Sequence, residues 1–209
     1  MSRWSALAVI AVATASLACE VGEGTGRVYG DLKVEGCGTK DLSNYDMAPN
    51  FFGAISVKDQ LLIRIQRGGD IQEYNDNLVI TVDDRRQVVD GQPIQIQLQR
   101  PPGSAPSVQP PLVRMSLSLR GTCGNGRVGP SDDPMVVLHA VRGTITFHSI
   151  LRGDPSSSDT NSKRIEGFFD KVELEDPRHA EGAPARSVGT LSGEFKFFYQ
   201  RGGPAQPFP

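Results

Sequence analysis

Tryptophan occurs once, at Trp4, and histidine and cysteine three times each in a chain of 209 residues. The histidines His139, His148 and His179 are too scattered for an HExxH pair or a compact histidine cluster, which removes the common zinc-hydrolase signatures. There is no G-x-S-x-G elbow. Ser192 stands in Thr190-Leu191-Ser192-Gly193, on the outward parity of a strand, a poor place for a nucleophile. Charge of one sign is not in excess either: 22 basic residues against 24 acidic leave a net charge of −2. That excludes a highly basic nucleic-acid binder and a disordered acidic tail, and no nucleic-acid partner is expected. Nor is there a series of long apolar runs, which excludes a polytopic membrane protein.

What is present begins with an export signal. Arg3 is followed by an uncharged run from Trp4 to Ala18, too short and too rich in alanine for a secure membrane span. Residues 1–18 therefore read as a signal peptide. The ending Ser16-Leu17-Ala18-Cys19 resembles the lipobox of bacterial lipoproteins, with Ser16 where that family usually places leucine. The resemblance implies that Cys19 is acylated and becomes the new N-terminus. It also implies a cell-envelope location, with Glu20 rather than aspartate after the cysteine favouring the outer membrane over the inner. Ala13-Thr14-Ala15 offers an alternative A-x-A site for ordinary secretion, which would leave Cys19 unmodified. Either cleavage removes Trp4 and with it the only tryptophan. Residues 19–26 (CEVGEGTG) then read as a flexible tether.

With Cys19 assigned to lipid, Cys37 and Cys123 remain as an even pair in an oxidising compartment, and a disulfide is the simplest reading. A metal site lacks ligand spacing around either cysteine. Such a bond closes a long loop and contributes about 4 to 5 kcal/mol on the chain-entropy model.

From residue 27 to about 200 the dominant pattern alternates with a period of two, and no window sustains a capped 3.6-residue period. Strands are expected at Val28–Val34, at Phe51–Val57 and Leu61–Arg67 as a hairpin, at Leu78–Val82, Ile94–Leu98, Leu112–Leu119, Met135–Ile150, Ile165–Leu174 and Gly189–Tyr199. In the Met135–Ile150 segment His139 shares parity with Val141 and Ile145 and is expected inside, whereas His148 falls with Arg142 and Thr144 on the wet side. About nine to eleven strands point to a single two-layer antiparallel β-sandwich, with a closed β-barrel as the alternative. Charges on the outer positions speak against a transmembrane barrel. Residues 201–209 (RGGPAQPFP) carry three prolines and are expected to run extended beyond the sheet.

Two segments, NFFGAISVKDQLLIRIQRGG from Asn50 and SGEFKFFYQRGGPAQPFP from Ser192, resemble an uncharacterised family of exported bacterial lipoproteins. The resemblance implies export and a shared β fold and brings no activity, ligand or catalytic residue with it.

The remaining chemistry is sparse. Gly124-Asn125-Gly126-Arg127-Val128-Gly129 matches G-x-G-x-x-G, yet Pro130 to Pro134 follow where a helix is needed, so it reads as a cysteine-anchored turn. Asp154, Asp159 and Asn161 in one loop and Asp132 and Asp133 in another lack calcium-loop spacing and read as turn residues. Glu166, Glu173 and Glu175 read as a wet strand face. No cofactor or metal is expected. The most suggestive surface is polar: Arg64 with Gln66, and Gln95, Gln97 and Gln99 with Arg100, a candidate interaction face.

These features favour a non-catalytic structural or protein-interaction module, anchored to the membrane by its lipid and partnered by another envelope protein. A hydrolase would need a cleft bringing a histidine and a carboxylate together, around His139 or the Asp154–Asn161 loop. A glycan-binding module would need two or more exposed tyrosines or phenylalanines on one face beside the glutamines.

Overall fold

A computed structural model describes residues 22–35, 37, 41–68, 75–97, 111–124, 136–176 and 187–199. The signal peptide, Cys19, Gln99, Arg100, Asp132, Asp133, His179 and the tail 201–209 lie outside the described residues, as does the glycine string beyond Gly124. Among the described residues, alternating side chains build ten antiparallel strands: β1 (Gly24–Lys33), β2 (Tyr45–Asp46), β3 (Phe51–Val57), β4 (Gln60–Gln66), β5 (Asp76–Val82), β6 (Pro93–Gln95), β7 (Val113–Leu119), β8 (Val137–Ser149), β9 (Arg164–Glu175) and β10 (Val188–Phe198). One helical turn, α1 (Arg120–Cys123), follows β7.

All ten belong to one sheet in the order β2-β1-β10-β9-β8-β7-β5-β4-β3, with β6 added against β8. The sheet curls until its ends meet. Residues joining β2 to β3 cross from the edge of β1 to the edge of β4: the Met47 amide donates to Val28 O and the Asn50 amide to Gln66 O, while the Phe52 amide reaches Gly22 O over 2.9 Å. The all-β expectation is met, and the facing layers are parts of one curled sheet. Its inner surface is a single core in which Leu61, Ile63, Ile65, Leu78, Ile80, Leu117, Leu138, Phe147 and Phe195 are fully buried. Each such side chain contributes about 1.5 to 3 kcal/mol relative to exposure.

Large rings fit inside because glycines face them. A Cβ on Gly193 would come within 2.7 Å of the Phe169 ring, and one on Gly26 within 2.9 Å of the Phe52 ring. Gly24 to Gly26, expected in the tether, pair with Phe195 to Phe197 of β10 and belong to β1. The polar repeat of that segment hides the strand, since glycine carries no apolar side chain for the alternation to register.

Bulges set which residues face out. Register shifts between Ala140 and Thr144 of β8, centred on Gly143 with φ +142°, reverse the parity of that strand. Leu138 and Ala140 point inward before the bulge, Ile145 and Phe147 after it. His139 therefore lies on the outer side, correcting the interior position expected from its spacing to Ile145. Another bulge is in β9, where Asp170 and Lys171 together face Ser192. Ser192 serves it: the hydroxyl donates to Asp170 Oδ1 at 2.8 Å and accepts from the Lys171 amide at 2.9 Å.

Cys37 and Cys123 form a disulfide, closing a separation of 86 residues and tying α1 to the segment that leaves β1. Beside it, the Asp76 carboxylate is buried and accepts hydrogen bonds from Tyr45 Oη at 3.1 Å, from the Thr122 amide at 2.8 Å and from Thr122 Oγ1. Burial, reinforced by the Asp76 charge, holds the Tyr45 phenol well above its ordinary pKa.

Candidate functional site

The outer face of β1, β10, β9 and β8 carries side chains that the inner alternation leaves over. Register places Arg27 opposite Glu194, Glu194 opposite Phe168 and Phe168 opposite Thr146, so these four make one row across the sheet. The neighbouring row holds Thr25, Lys196 and Glu166. Tyr29 and Phe198 stand further along β1 and β10. Among the described residues, three aromatic side chains are thus on one face with large exposure: Tyr29 at 43%, Phe168 at 43% and Phe198 at 49%.

Each ring is held by a neighbour. The Arg27 guanidinium lies 4.8 Å from the Tyr29 centroid and donates to Asp46 at 2.8 Å. That hydrogen bond raises the Arg27 pKa and lowers that of Asp46. Arg164 lies over Phe198 at 5.7 Å, and His148 stacks on Phe168 with centroids 5.3 Å apart and planes inclined by 27°. Cations over aromatic faces at exposed sites contribute about 0.5 to 1 kcal/mol each.

In the middle of this face is an open groove of about 350 Å³. Its walls include Phe168, His148, Arg27, Glu166, Glu194 and Lys196, and Gly26 and Gly167 also line it. A second groove, about 440 Å³, lies at the other end of the same strands between Asp31, Lys33, Glu173 and Glu175, where Arg142 pairs with Glu173 at 2.7 Å.

The structure divides the polar surface expected from sequence. Arg64 is 6% and Gln66 1% exposed, so neither presents itself to solvent. Both project away from the core side of β4, yet the fold covers them, and burial lowers the Arg64 pKa. Gln66 Nε2 donates to Gly68 O at 2.7 Å. Gln95 and Gln97 are exposed as expected. Gln95 faces Thr144 of β8 and so shares the outer face with Phe168.

The candidate acid/base groups have other uses. His139 is half-buried between Ser116 and Glu175 in register, beside a small cavity that Gln97 and Arg114 also line. Its burial lowers the imidazole pKa, with the Asp176 charge acting in the opposite direction. His148 packs on a ring. Among the described residues no histidine hydrogen-bonds a carboxylate. In the 154–162 loop, Asp154 Oδ1 accepts from the Ser156 amide and hydroxyl, both at 2.7 Å. Asp159 is bonded to Lys163 and Ser157, which hold its carboxyl at about 2. Among the described residues there is no group of three or more histidines, cysteines, aspartates or glutamates that could hold a metal ion.

The aromatic face escaped the sequence reading although a signal was available. Phe168-Phe169 and Phe197-Phe198 are consecutive, and successive strand residues point to opposite faces, so one ring of each pair must lie outside.

The chain matches no family model, no curated protein and no solved structure.

Proposed function

We propose that this protein is a cell-envelope lipoprotein, anchored through acylated Cys19, whose β domain is a non-catalytic module that binds another envelope protein. The observation that carries the reading is the set of three exposed aromatic rings on one outer face, two of them paired with arginines. Single exposed apolar residues are ordinary. Tyrosine, phenylalanine and arginine gathered on one face have the composition of a protein-contact core. Charged side chains interleave with the rings, so the face suits a protein surface rather than lipid tails, and the membrane is reached through the N-terminal lipid.

The test is photo-cross-linking in intact cells from probes placed at Phe198 and, as a control, at exposed Val57. A discrete protein adduct from position 198 alone supports the reading. Equal adducts, or none from 198, oppose it. Intact mass of the protein from its native membrane fraction checks the anchor: a chain beginning at Cys19 with acyl groups is expected, and a lipid-free chain beginning at Ser16 contradicts it.

A further inference from the structure

We propose that the groove beside Phe168 is a saccharide site that takes a pyranose unit of a glycan. This goes beyond the protein contact argued above and does not depend on it.

A pyranose ring is amphipathic. Its axial C–H groups form a weakly positive apolar patch, and its rim of hydroxyls both donates and accepts hydrogen bonds. An aromatic face is the electron-rich complement of that patch. Phe168 supplies one, nearly half exposed and steadied by the stacked His148 ring.

Polar groups of both kinds surround the ring. Glu166 and Glu194 accept; Arg27 and Lys196 donate. Glu194 and Lys196 occupy successive outward positions of β10, and among the described residues the side chain of neither makes a hydrogen bond or salt bridge. Both keep their capacity for a ligand. The row Arg27, Glu194, Phe168 places donor, acceptor and ring on three adjacent strands, a reach of about 10 Å at the usual strand spacing. A volume of about 350 Å³ is at the small end of ligand sites, which run from about 300 to 1,000 Å³, and suits one or two sugar rings. Gln95 and the threonines of β8 extend the polar surface beyond Phe168.

The experiment is calorimetric titration of the purified full chain with cellohexaose, chitohexaose and maltohexaose. At least one is expected to bind with Kd below about 1 mM. Phe168→Ala should weaken that sugar about tenfold or more, Glu194→Gln at least about threefold, and Phe198→Ala by less than about twofold. Thermal unfolding verifies that each variant is folded, and Glu194→Gln carries the test if Phe168→Ala is not. No binding of any of the three sugars overturns the proposal, as does an unchanged affinity in Phe168→Ala or in Glu194→Gln. Cross-linking from position 198 reports on the protein contact separately, so the two readings fail independently.

Discussion

The Tyr45 hydroxyl donates to the Asp76 carboxylate over 3.1 Å, and both residues are buried. Through Asp76, which also holds Thr122, β2 is joined to β5 and to α1 next to the Cys37–Cys123 bond. A carboxylate taken out of water persists only when its lone pairs are occupied, and here three donors occupy them.

Tyr45 makes the fold sensitive to alkaline pH. Its folded pKa is raised, so its stabilising effect is complete below the unfolded tyrosine value of about 10 and declines as pH rises above it. Urea unfolding followed between about pH 9 and 11 should show a steeper loss in the native protein than in Tyr45→Phe. At neutral pH, Tyr45→Phe should cost about 1 to 3 kcal/mol because Asp76 loses a donor.

The disulfide is expected to dominate the response to reductant. Reduction, or replacement of both cysteines by serine, should lower stability by about 2 to 5 kcal/mol, read as a fall in the urea midpoint with a steeper slope, because the unfolded chain without the cross-link is less compact. Intact mass should rise by about 2 Da on reduction. An unchanged midpoint would contradict a bond of this loop length.

Ser192 is structural. Ser192→Ala leaves the Lys171 amide without its acceptor and Asp170 without its donor, and should destabilise by about 1 to 3 kcal/mol. Hydrogen exchange at Lys171 should accelerate while amides in β4 and β5 keep their protection. Uniform acceleration across the sheet would mean that the effect is not confined to the bulge.

Gly193 tests the packing of rings against bare backbone. Gly193→Ala puts a methyl group within 2.6 Å of Arg27 O and 2.7 Å of the Phe169 ring, which must shift. A loss of about 1 to 3 kcal/mol in thermal or urea unfolding is expected.

Period-two alternation in the sequence is enough to place most strands. The hairpin of β3 and β4, the β5 and β7 segments and the long β10 run all lie within a few residues of where their apolar spacing predicts them, because alternation is a local consequence of strand geometry. The Cys37–Cys123 pairing was likewise legible by arithmetic. β2 was not: two residues, Tyr45 and Asp46, hold no period, and their place is decided by β1.

Which side chains face solvent is a tertiary matter. One inserted residue at a bulge reverses every side chain after it, so His139 lies outside although its spacing to Ile145 points inward. Arg64 and Gln66 have the outward parity of a wet strand but are covered, whereas Phe168 and Phe198 are apolar and exposed. The sequence by itself determined most of the strands, their class and the cysteine pair, since these follow from local spacing and composition. Only the tertiary structure decided the closure of the sheet and the face that carries the groove. Both depend on register between strands far apart in the chain, and local alternation fixes the parity of a strand but not which residues pair across strands.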